Sequence, residues 1–502
     1  MNKVLKGLVA VAATAAMAIA GVAGASTATA TENNYDITVP STDTHTYSVY
    51  QVFTGDLSNG TLSNIKAGHN FNTNNEKGKS AADAAAEIAQ NTSADTDNTA
   101  RLAAITPYVD LTATAFGEVS ARASLSAPAG YYLLKDKDAV TGDDAATLFI
   151  VQVNGPVTVN RKADKPSFEK KVQDVNDSTG DKSGWQDSAD YDVNDDVPFQ
   201  LTATLPSDAN DFAAYKTYKL VFHDNQSAGL TFKPETVVVK YEGTTLNTES
   251  YTLDQNPTDG HTFDITISNA KSVKDTDGAP ITVANGGKFT VEYKSTLNAN
   301  AEIGSKGNPN EASLEFSNNP NVGGEGNTGK TPTDKVIVFT YQLDINKTFN
   351  GGTPDDSDLP EFTLYKFDST TNDYTTNLGK MNITKTADGK YTASFKRVDD
   401  GKYKLVETKT PAGFNTAADT TFEITADHDV TSIDPKLTSL KINSTDGDTT
   451  TGTVVADVVN QKGSNLPSTG GMGTTILYAA GAAIVLVAAF GIAFAVRRRN
   501  AR

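Results

Sequence analysis

Most of the chain alternates apolar and polar residues over short stretches, which Gly, Asn, Asp and Pro separate. Examples lie at residues 218–222, 237–241, 263–267 and 362–365. Successive side chains of a β-strand point to opposite faces, so this alternation predicts half-buried strands. Many short strands between turn residues predict a mainly β protein made of tandem Ig-like β-sandwich domains.

One segment predicts a helix instead. Ser80 can cap a run at residues 81–90 that is rich in Ala and contains Glu87 and Ile88. A second, weaker helical pattern follows at residues 99–105. We therefore expect a small helical insert in the first domain.

Two breaks in the pattern divide the chain. One lies near residues 162–166, and the other spans 318–333, where Asn, Gly and Pro are frequent. The sequence predicts an N-terminal domain at 31–162, a middle domain at 163–330 and a C-terminal domain at 331–462. Residues 1–30 and 463–502 are expected to be targeting segments.

Charge and composition exclude several functions. The formal net charge is −18, and the two terminal segments contain six Lys and Arg and no acid, which leaves −24 for the rest. Such an acidic surface argues against nucleic-acid binding. There is no cysteine and there are only five scattered histidines, so we expect no disulfide, metal centre or cofactor.

The N-terminus predicts export. Lys3 and Lys6 precede an apolar stretch at residues 8–22, and small residues follow up to Ala30. This is the pattern of a secretory signal peptide cleaved after Ala30.

The C-terminus combines a short motif with an apolar segment. Leu466, Pro467, Ser468, Thr469 and Gly470 are followed by an apolar run at residues 476–496 and then by three arginines at 497–499. The run is long enough to cross a bilayer, and the arginines favour the cytoplasmic side. This arrangement resembles the L-P-x-T-G sorting signal of Gram-positive surface proteins. The resemblance implies that a sortase cuts after Thr469 and joins its carbonyl to an amine.

Three polar residues end apolar strand faces in the C-terminal domain. Alternation places Lys347 after Tyr341, Leu343 and Ile345, Glu407 after Tyr403 and Leu405, and Asn460 after Val454, Ala456 and Val458. Burying each polar residue alone is costly. In an apolar interior the pKa of a lysine falls and that of a glutamic acid rises. A neutral lysine could then attack the Asn carbonyl with help from the acid, and ammonia would leave.

The segment at residues 403–414 has the form Y-x-L-x-E-x-x-x-P-x-G-F. It resembles the E-box of collagen-adhesin B-type domains of pilins and adhesins. The resemblance implies an intramolecular isopeptide bond between Lys347 and Asn460, with Glu407 as the catalyst.

The middle domain contains a similar set. Lys170 follows Phe168 on one strand face, Asp224 follows Leu220 and Phe222, and Asn318 follows Leu314 and Phe316. The set resembles the middle domain of pilin shaft proteins and implies a Lys170–Asn318 bond aided by Asp224. Because a β-bulge shifts the register by one residue, Lys171 or Asn319 could replace its neighbour.

The first domain has no acid on the corresponding face near residues 127–135, so we expect no internal bond there. Its end, at residues 157–166, resembles the segment in which shaft pilins hold the lysine that sortase joins to the next subunit. Lys162 takes that position, and Lys165 is the alternative.

Together these features resemble the sortase-assembled major pilins of Gram-positive bacteria. The resemblance implies a shaft subunit of a covalent, wall-anchored pilus that supports adhesion and is not an enzyme beyond its own single-turnover bond formation. The expected partners are pilin-class and housekeeping sortases, other copies of the chain, peptidoglycan, tip or minor pilins and a host surface ligand. The alternative is a monomeric wall-anchored adhesin.

Overall fold

Alternating segments form strands throughout the computed structural model. It describes residues 34–58, 61–92, 104–137, 144–146, 148–159, 164–207, 212, 214–320 and 327–463. The alternating segment at 263–267, for example, forms the strand Phe263–Ile267, in which every second side chain is buried. The mainly β prediction is confirmed. Among the described residues no helix is long and apolar enough to cross a membrane.

In the part of the first unit that the structure describes, eight strands form two sheets. They are β1 (Asn34–Thr38), β2 (Thr46–Ser58), β3 (Thr61–Ala67), β4 (Gly117–Ser120), β5 (Leu125–Pro128), β6 (Gly130–Asp136), β7 (Leu148–Val153) and β8 (Val157–Thr158). The sheet orders are β5-β1-β8 and β3-β2-β6-β7, and β4 pairs with β2.

The predicted helix is present as α1 (Ala81–Thr92). Its first turn is capped as expected, because the Ser80 Oγ accepts a hydrogen bond from the Asp83 backbone N–H at 3.2 Å. The second helical pattern lies partly outside the described residues. Beyond it, a 3-10 turn spans Thr106–Tyr108.

The middle unit packs two larger sheets around an aromatic-rich core. Its strands are β9 (Ser167–Val175), β10 (Lys182–Gln186), β11 (Ser188–Asp190), β12 (Asp196–Thr204), β13 (Leu220–Gln226), β14 (Leu230–Tyr241), β15 (Thr244–Thr245), β16 (Thr252–Asp254), β17 (Phe263–Ile267), β18 (Lys288–Leu297), β19 (Asn308–Ser317), β20 (Thr328–Lys330) and β21 (Asp334–Phe339), with a 3-10 turn at Ala270–Ser272. The orders are β10-β9-β12-β18-β14-β15 and β11-β21-β19-β13-β17-β16, and β20 pairs with β19.

Strand β21 corrects the division made from the sequence. It lies beyond the boundary placed at residue 330, yet it pairs with β19 and β11 of the middle unit. The boundary is therefore close to Thr340. The Asn- and Gly-rich segment looked like a linker because its turn residues interrupt the alternation, but the sheet continues after it.

The third unit is a sandwich of a four-stranded and a six-stranded sheet. Its strands are β22 (Tyr341–Asn350), β23 (Glu361–Asp368), β24 (Asp373–Asn382), β25 (Thr384–Lys385), β26 (Tyr391–Val398), β27 (Gly401–Lys409), β28 (Thr420–His428), β29 (Leu437–Ile442), β30 (Thr445–Asp446) and β31 (Thr453–Gln461). The orders are β25-β26-β22-β31 and β24-β23-β27-β28-β29-β30. The first and last strands, β22 and β31, run parallel side by side.

Candidate functional site

The third unit buries three polar side chains near the ends of β22, β27 and β31. Lys347, Glu407 and Asn460 are 2%, 7% and 0% exposed. In the parallel β22–β31 pair, Lys347 lies opposite Val458. Asn460 is two residues further along β31 and therefore shares the inward face with Val458. The three residues predicted from alternation thus lie in one region of the core.

Glu407 and Asn460 are in direct contact. The Asn460 Nδ2 donates to both carboxylate oxygens of Glu407, at 3.0 and 2.9 Å, and to the backbone carbonyl of Asn415 at 2.6 Å. The Asn460 Oδ1 is buried and has no hydrogen-bond partner among the described residues. The amide nitrogen that would leave is therefore beside the acid, and the carbonyl has no competing donor.

Lys347 is held by neutral groups. Its Nζ donates to the backbone carbonyls of Thr348 and Val458, at 3.0 and 3.3 Å, and lies 4.5 Å from the centre of the Phe349 ring. Burial lowers the pKa of Lys347 to about 8, against the opposing attraction of Glu407. Roughly a tenth of such an amine is neutral at pH 7, which is sufficient for a nucleophile.

The middle unit holds a second buried set. The Lys170 Nζ donates to the Asp224 Oδ2 at 2.5 Å and to the Tyr293 hydroxyl at 2.9 Å. That hydroxyl donates to the same Asp224 oxygen at 2.6 Å. Burial lowers the pKa of Lys170, although Asp224 opposes the shift. Lysine and acid therefore meet as the sequence predicted, with a tyrosine bridging them.

The asparagine in this set is Asn310 rather than Asn318. The Asn310 Nδ2 donates to the Tyr293 hydroxyl at 2.9 Å, and the Lys170 Nζ lies at the same distance from that hydroxyl oxygen. The Asn310 Nδ2 and the Lys170 Nζ are therefore separated by at most twice this distance. The Asn310 Oδ1 is buried and has no partner among the described residues.

Asn318 is at the other end of β19. Asp224 pairs with Ala312, and Asn318 is six residues beyond Ala312, on the order of 20 Å away at ~3.4 Å per residue. A lysine side chain cannot span that gap, so the predicted Lys170–Asn318 pair is wrong. The register alternatives are also wrong: Asn319 is equally remote, and the Lys171 Nζ pairs with the Asp187 carboxylate at 2.5 Å.

Sequence reasoning missed Tyr293 and Asn310. Alternation along β19 places residues 310, 312, 314, 316 and 318 on one face, so Asn310 was equally compatible with the pattern. Tyr293 follows Phe289 and Val291 on an ordinary core face of β18. Only the strand register brings either residue to Lys170.

A buried ionic junction joins the middle and third units. Lys366, on β23, is fully buried, and its Nζ donates to the Asp192 Oδ2 at 2.8 Å, to the Asp177 Oδ2 at 3.2 Å and to the Asp399 carboxylate. Burial alone would lower the pKa of Lys366, but these carboxylates raise it above its ordinary value. Two of the three acids belong to the middle unit, so the lysine stabilises the contact between the units.

The remaining predicted sites are at the ends and linkers of the chain. Lys162, the sorting motif at 466–470, the apolar run at 476–496 and the signal segment to Ala30 lie outside the described residues. Lys165 is exposed immediately before β9. Beside it, the Asp164 carboxylate accepts hydrogen bonds from the Ser207 backbone N–H and hydroxyl, at 2.6 and 2.7 Å.

Comparison with known proteins places similarity at the third unit and the C-terminus. Residues 359–437 match a family described as a prealbumin-like fold domain, and residues 458–501 match the LPXTG cell wall anchor motif. The trypsin-resistant surface T6 protein of Streptococcus pyogenes serotype M6 is 27% identical over 416 residues, which cover 68% of this chain and 70% of that protein.

Two solved structures align with most of the chain. The T6 backbone pilin of serotype M6 Streptococcus pyogenes is 18% identical, with a TM-score of 0.49 and coverage of 86% of this chain and 99% of that chain. The full-length major pilin SpaD from Corynebacterium diphtheriae is 18% identical, with a TM-score of 0.45 and coverage of 86% and 98%. The matches to the families and to the T6 protein confirm the resemblance to sortase-assembled pilins, and the anchor motif makes the chain a cell-wall-anchored surface protein.

Proposed function

We propose that the chain is the shaft subunit of a covalently polymerised pilus and that two internal amide bonds clamp it. The observation that carries the proposal is the occurrence of two buried lysine–carboxyl–asparagine sets in tandem, in a chain that ends in a sorting motif. The similarity to the T6 surface protein supports it. A monomeric adhesin would need the sorting motif but no lysine acceptor of its own.

In the third unit, the neutral Lys347 amine attacks the Asn460 side-chain carbonyl carbon. The new Nζ–C bond forms as the bond from that carbon to Nδ2 breaks. Glu407 contacts Nδ2 and attracts the Lys347 amine electrostatically. We assign it the transfer of a proton from the attacking amine to the leaving nitrogen. The nitrogen departs as ammonia, and the balance requires no other reactant.

In the middle unit, the same exchange joins Lys170 to Asn310. Asp224 contacts the lysine, and the Tyr293 hydroxyl connects Asp224 to the Asn310 nitrogen. Protons can therefore pass from the amine to the leaving group through the carboxyl and the hydroxyl. This route differs from the third unit, where a single carboxyl contacts the leaving nitrogen directly.

Polymerisation uses a different lysine, outside the two buried sets. A sortase forms an acyl-enzyme at Thr469, and Lys162 of another copy resolves it. A lysine amine of ordinary pKa is almost entirely protonated at neutral pH and therefore needs activation by the enzyme. Pilin-class sortases would extend the fibre, and a housekeeping sortase would join its base to peptidoglycan.

The test is a wall extract boiled in SDS and blotted for this protein. The wild-type strain is compared with Lys162→Ala and Lys165→Ala strains. We expect a ladder of covalent multimers in the wild type and in Lys165→Ala, and its loss in Lys162→Ala. A ladder that is lost only in Lys165→Ala would identify Lys165, rather than Lys162, as the acceptor. A single band of monomer size in the wild type would contradict the pilus and favour the adhesin.

A further inference from the structure

Two of the five histidines converge on the outer face of the middle unit. His223 on β13 lies directly across from Asp264 on β17. The loop before β17 adds Asp259 and His261, and Gly260 between them has a φ of +88°, a conformation that suits glycine. The histidines are 38 residues apart in the sequence, so no local motif indicated this cluster.

The four groups are arranged around a common point. The His223 Nδ1 lies 2.8 Å from the Asp264 Oδ1 and 3.7 Å from the Asp259 Oδ2. The His261 Nδ1 lies 3.0 Å from the same Asp259 oxygen and 3.3 Å from the same Asp264 oxygen. All four atoms are within 4.8 Å of one another.

These spacings suit tetrahedral coordination. Zinc binds imidazole nitrogen and carboxylate oxygen at roughly 2.0–2.2 Å, so two ligand atoms of a regular tetrahedron are about 3.4 Å apart. The four nitrogen–oxygen separations scatter around that value. Two imidazoles and two carboxylates also form a ligand set that binds first-row divalent metals in preference to Mg²⁺ or Ca²⁺.

A carboxylate next to the cluster faces the other ring nitrogen of His223. The free ring nitrogen of His223, Nε2, lies 3.4 Å from the Glu315 Oε2 on β19. Histidines that bind metals usually direct their other nitrogen to a carboxylate, which fixes the ring orientation. Access is available from solvent, because the Asp259 side chain is 45% exposed.

We propose that His223, His261, Asp259 and Asp264 form a site for a divalent transition metal, with Zn²⁺ as the expected ion. The metal would fix the loop before β17 to the sheet. The next residue of that loop, Thr262, donates its backbone N–H to the Asp224 carbonyl at 2.7 Å. The site would thus stabilise, from outside, the strand that carries Asp224.

Calorimetric titration of the exported protein with ZnCl₂, in metal-free buffer, tests the site. We expect one Zn²⁺ per chain, at least a tenfold loss of affinity in His261→Ala and a 10–100-fold loss in Glu315→Gln. His69→Ala, which removes a histidine in the first unit, is the matched control and should bind as the wild type does. Zinc-edge absorption should show four N/O ligands at roughly 2.0–2.1 Å.

Absence of binding by the wild type would overturn the proposal. So would equal affinity in the wild type and in both His261→Ala and Asp259→Asn, because the ion would then be bound elsewhere. His261 and Asp259 belong to a loop and are partly exposed, so these variants should fold normally. Intact mass of the same samples verifies that the internal bonds are unaffected.

Discussion

Replacing Asn310 by Ala should abolish the covalent bond of the middle unit, whereas replacing Asn318 should not. Both residues are fully buried, Asn310 in β19 and Asn318 directly after it. Only Asn310 shares a hydrogen-bond partner with Lys170. Asn318→Ala is therefore a matched control, with the same substitution and burial at a distance that the lysine cannot reach.

The expected loss of stability follows from the size of the closed loop. Lys170 and Asn310 are 140 residues apart, and a cross-link over such a loop restricts the unfolded chain by about 5 kcal/mol at 25 °C in the chain-entropy model. For a unit of this size each kcal/mol moves Tm by about 2–4 °C. The melting transition of the middle unit should therefore fall by roughly 10–20 °C in Asn310→Ala.

Intact-mass spectrometry and calorimetry measure the two consequences. Each internal bond releases one ammonia, about 17 Da, so the wild type should weigh about 34 Da less than its sequence predicts. Asn310→Ala should show half that deficit and Asn318→Ala the full deficit. The full mass deficit in Asn310→Ala together with half of it in Asn318→Ala would refute the assignment of Asn310 as the partner of Lys170. A halved mass deficit in Asn310→Ala with an unchanged Tm would refute the argument that the bond stabilises the unit by restricting the unfolded chain.

Two further substitutions test the third unit and the junction. Glu407→Gln keeps the side-chain shape but cannot transfer protons, so it should halve the mass deficit, while Glu423→Gln, on the neighbouring strand, should leave it unchanged. Lys366→Met leaves buried carboxylates unpaired and should destabilise the junction by about 3–5 kcal/mol in thermal melts, whereas Lys380→Met, at an exposed pair, should cost under about 1 kcal/mol. Burial raises the pKa of Asp400 at the junction to about 8. The folded junction then binds more protons than the unfolded chain, so its stability should rise as the pH falls from 8 to 5. A junction that melts lower at pH 5.5 than at pH 8 would contradict this sign.

The third-unit set could be predicted because alternation and the E-box resemblance both point to the same three residues. Lys347 and Asn460 follow apolar residues on the faces of two neighbouring strands, and Glu407 does so on a third. To predict that Lys347 and Asn460 meet, only the approximate register of β22 against β31 was needed.

The middle-unit set could be predicted only in part. Alternation gives the face of a residue but not its position along the partner strand, and three asparagines share one face, Asn308 and Asn310 in β19 and Asn318 directly after it. The β13–β19 register, which places Asp224 opposite Ala312, decides between them. That register depends on packing across the whole sandwich, which local sequence does not encode.

The clusters around Lys366 and His223 were not predicted from the sequence. Lys366 follows Phe362 and Leu364 on the inner face of β23, a pattern like that of Lys347, but the pattern does not identify its partners. Its partners Asp177 and Asp192 come from another unit, almost two hundred residues earlier. Contacts between units depend on how folded surfaces meet, and periodicity within one strand contains no information about them.

The proposed bonds also determine which residues would carry tension in a fibre. If Thr469 of one subunit is joined to Lys162 of the next, the first unit lies outside the path of the force, which agrees with the expectation that it has no internal bond. Amides at Lys170–Asn310 and Lys347–Asn460 would let the force bypass most of the middle and third units. The connection from Asn310 to Lys347 would still carry it through β21, which is held by noncovalent contacts, including its pairing with β19 and β11.

The ionic junction compensates for that one unclamped connection. Asp177 and Asp192 belong to the part of the middle unit that its bond shields, and Lys366 and Asp399 belong to the shielded part of the third unit. Their contact therefore links the parts of the two units that the proposed amides enclose, and it does so in addition to the connection through β21. Lys366 donates hydrogen bonds to two acids of the middle unit, so separation of the units must break them where no covalent bond crosses the contact. The two proposed amides and the Lys366 junction would thus be complementary: the amides would prevent unfolding within the units, and the junction would limit movement between them.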